Sequence, residues 1–358
     1  MTPLGKILEQ SSSKCTSKRF LEQHGPQELV YFEMIPSGLG SSLHTWMNPL
    51  CHASANGKVL ITGSTDKFKK PWLWNDEVRC RPEFEKQKSV SMGYEYQRRG
   101  SSSALGCYFG WHATSLRCPP GTLAWNKTIV NHNSVWQRYQ CHDYHQRYGR
   151  SGVLSAVAEW LFQNVSKIVV DEAERQIREE AFPVATLPGS GKALTHPNQR
   201  WPELPSPEDL ITVHIRWGDK AREMELVEVA EYIDASKILL TEEERVGTKP
   251  VHFYVATEDP RAVVAFQQHA EDHWVVHSSG PFIRNNAGNV GMMDTAYNSK
   301  GNAGLQSLGA LLIAMEANRY ILTTGSNWSR LINELRKSVL DSRCGNCTKM
   351  IDLREGEL

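Results

Sequence analysis

The stretch Leu210-Ile-Thr-Val-His-Ile-Arg-Trp-Gly-Asp-Lys220 decides how the second half of the chain folds. Its apolar and β-branched beginning is typical of a buried strand, and the charged residues after it mark the end of that strand. Further along, short apolar runs alternate with segments of helical periodicity. Strands that alternate with helices predict an α/β fold, with a parallel sheet covered by helices on both faces.

The elements of this half follow from the same pattern. The predicted strands are Leu210–Ile215, Val251–Ala256, Trp274–His277 and Tyr320–Thr323, and the predicted helices are Val227–Leu240, Pro260–His269, Leu305–Ala317 and Trp328–Val339. Ligands of such sheets bind at the carboxyl ends of the strands, which predicts a site among residues 216–220, 257–259 and 324–327.

The first half of the chain contains a second strand-and-helix pattern. Leu29–Met34 and Val59–Thr62 are predicted strands, and the turn-rich segment Pro36–Ser42 leads into a helix that begins at Leu43. This order is the start of a β-α-β unit. Helical periodicity returns over Ser155–Ile177.

Proline and glycine crowd the segment between Leu187 and Pro207. Such breakers indicate a linker or a surface loop. We therefore expect an N-terminal α/β domain over residues 1–200 and a C-terminal Rossmann-like domain over residues 201–358.

Composition excludes two classes of partner. The 358 residues include 40 Lys+Arg and 40 Asp+Glu, so the chain lacks the basic surplus that phosphate backbones require, and we expect no nucleic acid. No apolar run approaches the roughly 20 residues of a membrane span. The polar segment Met1–Lys18 is neither a signal peptide nor an anchor. The sequence predicts either a soluble protein or one whose anchor precedes Met1.

Cysteines and glycosylation sequons point to an oxidising compartment. Six of the eight cysteines lie in the first 141 residues. The remaining pair, Cys344 and Cys347, has the spacing of a redox motif, but its place at the chain end favours a structural disulfide. Together these features predict the secretory-pathway lumen. The sequons begin at Asn126, Asn164, Asn327 and Asn346.

Charged residues crowd the end of the strand that opens the second half. His214 and Arg216 are two residues apart and point to the same side of the sheet. A fixed guanidinium suits bidentate contact with a diphosphate. A carboxylate near a lysine, as in Glu223 and Lys220, suits a general base. The alternative is that these charged residues, together with Asp219, form a solvated loop with ordinary ion pairs.

Two strand-to-helix turns offer backbone N–H groups for a phosphate. The first contains Gly38 and Gly40, on either side of Leu39, although a plain tight turn also explains them. The second is Thr323–Asn327. There, Ser326 or Asn327 could instead cap the helix that follows.

Metal chemistry has little support in the sequence. The chain contains no Asp-x-Asp triplet, which is the usual holder of a metal-bound diphosphate. Cys141, His142 and His145 form at most an incomplete zinc set. We therefore expect no metal and no resident cofactor.

Four segments together resemble the α1,6-fucosyltransferases, the animal N-glycan core enzymes and their rhizobial nodulation relatives. The most specific is His214–Lys220 with Glu223 and Glu231-Tyr232-Ile233 behind it. In chain order, the others are Ser37–His44, Tyr254–Pro260 and Thr323–Arg330. Cys15 and Cys80 also occupy places where that family joins two cysteines.

The resemblance implies a GT-B-like fold, with two Rossmann-like domains around a cleft, and GDP-fucose as the donor of a metal-independent, inverting transfer. The N-terminal domain would face the acceptor, a glycan or glycoprotein, and the enzyme would work in the Golgi. The implied catalytic residues are Arg216 on the β-phosphate, Glu223 as the base and Lys220 as its partner. The implied donor contacts are His214, Asp219, Gly38, Leu39, Gly40, Ser326, Asn327 and Asp259, of which Asp219 orients a cation and Asp259 has a structural role.

Departures from the family pattern keep other functions open. Trp217 stands where the family has a second arginine, and Ala310 where it has an aspartate that recognises guanine. The family's stem and SH3-like domain are missing, so the N-glycan core is one candidate acceptor among several. The alternatives are a GT-B transferase for another nucleotide sugar and a catalytically inactive, glycan-binding relative.

Overall fold

A computed structural model describes residues 29–33, 38–55, 59–63, 108–109, 141–163, 165–182, 204–217, 225–281, 299 and 301–355. These residues fall into two compact units. The first ends at Ile168 and also takes in residues 299–302, whereas the second begins at Val169 and resumes at Ala303. The linker proposed between Leu187 and Pro207 lies largely outside the described residues.

The first unit opens with the predicted β-α-β order. Strand β1 (Leu29–Glu33), helix α1 (Leu39–Ala55) and strand β2 (Val59–Gly63) follow one another. The two strands pair in parallel, with Leu29 opposite Val59. Helix α1 begins at Leu39, four residues earlier than the sequence predicted, because the N–H of Ser42 already donates to the carbonyl of Gly38 at 2.9 Å.

A second helix packs against α1. Helix α2 (His142–Phe162) has a kink at Gly149, whose φ of +72° suits glycine. The buried rings of Trp46 and Trp160 stack with centroids 6.3 Å apart. A disulfide joins Cys51 to Cys141. The sulfur of Cys141 is therefore not available as a thiolate ligand in this state.

The single helix predicted over Ser155–Ile177 is two helices. Helix α2 ends at Phe162, and α3 (Lys167–Gln176) continues as a π-helical turn, Ile177–Ala181. Between them the N–H of Ser166 donates to the carbonyl of Tyr108 at 2.8 Å instead of continuing a helix. The apolar periodicity runs through this break, so the pattern alone could not reveal it.

The second unit is built on a five-stranded sheet in which all strands are parallel, with the order β5-β4-β3-β6-β7. The predicted α/β class and parallel sheet are thus confirmed. The strands are β3 (Ile211–His214), β4 (Val251–Ala256), β5 (Trp274–His277), β6 (Arg319–Leu322) and β7 (Lys349–Asp352).

Helices cover both faces of this sheet. On one face, Val213 and Phe253 pack in a core with residues of α4 and α6. On the other, the hydroxyl of Thr212 donates to the carbonyl of Ala314 in α7. The helices are α4 (Val229–Leu239), α5 (Glu242–Arg245), α6 (Pro260–His269), α7 (Asn302–Ala314), α8 (Asn327–Leu335, with a π-helical continuation Arg336–Asp341) and α9 (Ser342–Cys344).

Strand β7 was not predicted. It is a short edge strand that begins with a lysine and ends with an aspartate, so it lacks the apolar run that marks a buried strand. Its pairing with β6 places Lys349 opposite Arg319 and Asp352 opposite Leu322. The preceding turn is closed by the Cys344–Cys347 disulfide.

A buried ion pair fastens the amino end of the sheet. The guanidinium of Arg319 donates to both carboxylate oxygens of Glu244, at 2.6 and 2.7 Å. Burial alone would raise the pKa of Glu244, but the bonds from Arg319 and Thr241 hold it below its ordinary value. The pair joins β6 to α5, far from the carboxyl ends of the strands.

None of the described helices is long and apolar enough to cross a bilayer by itself. One consecutive pair, Tyr144–Phe162 with Lys167–Ala181, reaches the required length only when the two helices are taken together.

Candidate functional site

The carboxyl ends of β3 and β6 lie side by side at the point where the chain changes direction across the sheet. From β3 the strand order runs through β4 to β5 on one side, while β6 and β7 lie on the other. Connections that diverge from neighbouring strands leave a crevice between them, and ligands of open α/β sheets bind there. The sequence placed its candidate residues after these two strands and after β4.

Arg216 sits at the mouth of this crevice. The N–H of Ile215 still donates to the carbonyl of Ala256 at 3.0 Å, so the pairing of β3 with β4 extends almost to Arg216. The arginine is only 9 % exposed. Its Nη1 donates to the carbonyl of Trp217 at 2.8 Å and forms an ion pair with Glu258. The guanidinium is thus held by β3 and by the segment after β4.

His214 is buried on the face of the sheet covered by α8. Its Nδ1 lies 2.6 Å from the Oγ of Ser329, and that oxygen also accepts the N–H of Thr323 at 3.1 Å. Burial, and secondarily the charge of Arg216, lower the pKa of His214 to about 3. The imidazole is therefore neutral at physiological pH. Its place beside Arg216 makes it a support of the crevice, and a contact with nucleotide stays a prediction.

The turn after β6 is held in place by β7. Both the N–H and the hydroxyl of Thr324 donate to the carboxylate of Asp352. The N–H of Gly325 donates to the carbonyl of Arg354 at 2.9 Å. Neither Asp352 nor Arg354 was singled out in the sequence, because β7, which ends at Asp352 and is followed by Arg354, has no apolar signature.

Ser326 occupies the N-cap position of α8, as the alternative interpretation of this turn predicted. Its backbone is extended, with φ −91° and ψ 134°, and α8 starts at Asn327. However, the Ser326 side chain forms no capping hydrogen bond. The Ser326 hydroxyl therefore does not occupy the N–H groups of the first turn of α8, as an N-cap side chain usually does.

Tyr232 connects the two strand ends. Its buried hydroxyl hydrogen-bonds with the side chain of Thr323 and the main chain of Arg216, while burial raises its pKa to about 12. A phenol with such a pKa stays protonated at physiological pH. Tyr232 was part of the family resemblance but had no assigned role. In the structure it sets the spacing of the β3 and β6 turns.

Asp259 is fully buried at the N-cap of α6. Its Oδ1 accepts the N–H of Arg261 at 3.0 Å, and both carboxylate oxygens accept the Arg261 guanidinium. These bonds match the structural role expected for Asp259. Through these bonds the Asp259 carboxylate is engaged by the first turn of α6.

The glycine-rich turn belongs to the first unit. Gly38 precedes α1, and Leu39 and Gly40 are buried in its first turn. The carbonyl of Gly40 accepts the Nδ1 of His44 at 2.7 Å. A helix start rather than a free loop therefore offers the backbone N–H groups here. Their joint action with Arg216 on one ligand stays a prediction.

Three of the predicted site residues, Asp219, Lys220 and Glu223, lie outside the described part of the chain. The residues on either side of them are connected. The indole Nε1 of Trp217 donates to the carbonyl of Val227 at 3.0 Å, and the ring packs against the core below. This hydrogen bond thus joins the two ends of the segment that contains Glu223, the proposed general base.

Three arginines at this edge of the sheet are paired with carboxylates. Arg216 pairs with Glu258, Arg261 with Asp259, and Arg354 with Glu231 at 2.8 Å. Within the described ranges, these three arginines contribute no surplus of positive charge. A dianionic ligand would have to share Arg216 with its carboxylate.

Among the residues that the structure describes, Asp341, Cys344 and Cys347 have the spacing of metal ligands. The two sulfurs are joined in a disulfide. The carboxylate of Asp341 accepts Arg336 at 2.6 Å and both the N–H and the hydroxyl of Thr348. In this state the group serves the C-terminal turn and offers no metal site.

No protein-family model matches this sequence, and no curated protein matches it. Among solved structures, POFUT1 in complex with GDP aligns with a TM-score of 0.41 and 9 % identity, over 92 % of this chain and 98 % of that one. POFUT1 in complex with GDP-fucose aligns with a TM-score of 0.41 and 12 % identity, over 92 % of this chain and 99 % of that one. Scores this low establish no shared activity.

Proposed function

We propose that this chain is a glycosyltransferase that moves fucose from GDP-fucose to a hydroxyl of a glycan, with inversion and without a metal. The observation that carries the proposal is the position of Arg216. Its guanidinium is held at the carboxyl end of β3, where the strand order diverges, beside the turn that leads into α8. A bidentate cation next to a helix N-terminus is a suitable receptor for a diphosphate.

In the proposed mechanism, Arg216 binds the β-phosphate together with the start of α8 at Ser326 and Asn327, where the Ser326 N–H would exchange its bond to the Thr323 carbonyl for one to the phosphate. These donors stabilise the negative charge that develops on the leaving nucleotide. Glu223 removes the proton from the acceptor hydroxyl, and Lys220 orients it. Displacement on the side opposite the leaving group inverts the anomeric centre.

The domain assignment is part of the same proposal. Residues 201–358 would bind the nucleotide sugar, and residues 1–200 would face the acceptor while Gly38, Leu39 and Gly40 contact the phosphates. The N-glycan core and an α1,6 linkage are the finer candidates for acceptor and product. The Cys51–Cys141 and Cys344–Cys347 disulfides are consistent with a Golgi or other lumenal location.

A transferase for another nucleotide sugar is the second candidate, and one observation favours it. Ala310 lies at a half-buried position of α7 and offers no carboxylate to the base of a nucleotide. A catalytically inactive, glycan-binding relative would bind glycan but catalyse no transfer.

A ligand screen separates these candidates. We expect GDP and GDP-fucose to raise the melting temperature of the full chain, while UDP, ADP and their sugars have no effect. Arg216→Ala should reduce the shift, and Lys249→Ala, at an exposed ion pair near the amino end of the sheet, should preserve it. Stabilisation by UDP or ADP instead would establish the second candidate. Stabilisation by glycan alone would support the inactive relative.

A further inference from the structure

The ion pair between Arg216 and Glu258 has no use in the mechanism above. Both side chains are largely withdrawn from water, with 9 % and 17 % exposure. Two charges are seldom buried unless they face each other, because each loses its hydration. The pair therefore fixes where the Arg216 guanidinium can be.

The segment that carries Glu258 is itself well supported. Asp259 beside it caps α6 and binds Arg261, and its N–H donates to the hydroxyl oxygen of Thr257 at 3.2 Å. Because Asp259 performs the capping, Glu258 is not required to start α6. Its carboxylate reaches the guanidinium of Arg216, just beyond the end of the neighbouring strand β3.

Two acceptors contact the same nitrogen of the guanidinium. Nη1 donates to the carbonyl of Trp217 and contacts the carboxylate of Glu258. The guanidinium is planar, so fixing one nitrogen by two directed contacts also fixes the direction of the rest of the group. An arginine oriented before its ligand arrives loses less conformational entropy on binding.

We propose that Glu258 is a positioning residue for Arg216, which holds the guanidinium in the orientation that binds the diphosphate of the donor. This inference rests on the proposed function, since it needs a diphosphate at Arg216. The opposing possibility is that the carboxylate competes with the phosphates for the guanidinium. Positioning and competition predict opposite effects on affinity when the charge of Glu258 is removed.

Without its carboxylate, Arg216 would be a buried charge that has lost a partner, and such a group moves toward water. Binding would then have to bring it back and order it again. Glu258→Gln should therefore raise the dissociation constant for GDP about tenfold. Glu258→Asp keeps the charge on a shorter side chain and should recover part of the loss.

The test is calorimetric titration of the full chain with GDP. The variants are Glu258→Gln, Glu258→Asp, Arg216→Ala and the double variant Arg216→Ala with Glu258→Gln. Since Glu258 acts through Arg216, the double variant should bind no more weakly than Arg216→Ala. Glu271→Gln is the matched control, because Glu271 also forms an ion pair, with Lys237, but precedes the amino end of β5.

Circular dichroism melting of each variant tells apart a loss of fold and a loss of positioning. Weaker binding by a fully folded Glu258→Gln protein, with partial recovery in Glu258→Asp, supports the proposal. Tighter binding would show that the carboxylate competes, and unchanged binding would show that it is inert. If the wild-type chain binds no nucleotide, the proposed function fails together with this inference. If Arg216→Ala loses binding while Glu258→Gln does not, only the inference fails.

Discussion

The Nδ1 of His214 lies 2.6 Å from the Oγ of Ser329, a residue 115 positions further along the chain. The same oxygen accepts the N–H of Thr323 at 3.1 Å. One hydroxyl therefore connects β3, the turn after β6 and α8. It lies directly under the crevice that contains Arg216, so its loss should affect both stability and ligand binding.

Ser329→Ala should lower the free energy of unfolding by about 1–3 kcal/mol, because it leaves buried polar groups of His214 and Thr323 without a partner. Urea denaturation followed by circular dichroism measures the change. Ser307→Ala on α7, where the hydroxyl bonds only within its own helix, is the control and should change stability little. Equal effects of the two substitutions would show that the connection is unimportant.

Stability should fall as the pH is lowered from about 6.5 to about 4. Burial lowers the pKa of His277 to about 4 and that of His214 to about 3, whereas the ordinary value is 6.5. Below pH 6.5 the unfolded chain takes up protons that the folded chain does not, so unfolding is favoured. Above pH 6.5 both states hold these histidines neutral, and their contribution is constant.

Urea midpoints at pH 7.5, 6.0 and 5.0 measure this dependence. His277 uses Nδ1 to bond the carbonyl of Ala181 and Nε2 to contact Nδ1 of His252 at 3.0 Å. His277→Gln removes the titrating ring, so it should reduce the slope between pH 6.5 and 5. A variant with the same slope as the wild type would mean that His277 does not contribute to it.

Arg319→Met should lower the free energy of unfolding by about 3–5 kcal/mol, because it leaves the carboxylate of Glu244 buried without its partner. The double variant Arg319→Met with Glu244→Gln should lose less stability than Arg319→Met alone, because no uncompensated charge stays buried. The exposed pair Lys249–Asp209 supplies the contrast. Lys249→Met should change stability by about 0–1 kcal/mol. Similar losses from both pairs would contradict the importance of burial.

Glu223→Gln should abolish transfer and leave the affinity for GDP nearly unchanged, because the proposed base acts on the acceptor and not on the nucleotide. Initial rates with GDP-fucose and a glycan acceptor, together with calorimetric titration of GDP, measure the two properties separately. Normal turnover by this variant would remove Glu223 from the mechanism.

Much of the second unit could be predicted from the sequence. The bounds of β4, α6 and β5 agree with the prediction, because each is marked by a local signal, such as the apolar run of Val251–Ala256 or Pro260 in a first helical turn. The starts of α1 and α3 were missed. Each start depends on a single backbone hydrogen bond. The N–H of Ser42 donates to the carbonyl of Gly38 at the start of α1, and the N–H of Ser166 donates to the carbonyl of Tyr108 just before α3. Such bonds leave no trace in the apolar periodicity of the sequence.

The candidate site divides in the same way. Arg216 could be chosen from the sequence because a charged residue at the end of an apolar strand points to a ligand site. Glu258 lay within the predicted site range 257–259, but its pairing with Arg216 could not be predicted, and neither could the supports Tyr232, Ser329 and Asp352. Their side chains have ordinary sequence surroundings, and only their contacts give them a role.

By itself, the sequence determined the α/β class, the alternation of strands and helices, and which turn residues end the strands, because these properties come from burial patterns only a few residues long. Only the tertiary structure decided the strand order β5-β4-β3-β6-β7, the edge strand β7 and the pairing of Arg216 with Glu258. Those features depend on which distant segments pack together. No local pattern specifies that choice, because an apolar strand can pair with many different strands.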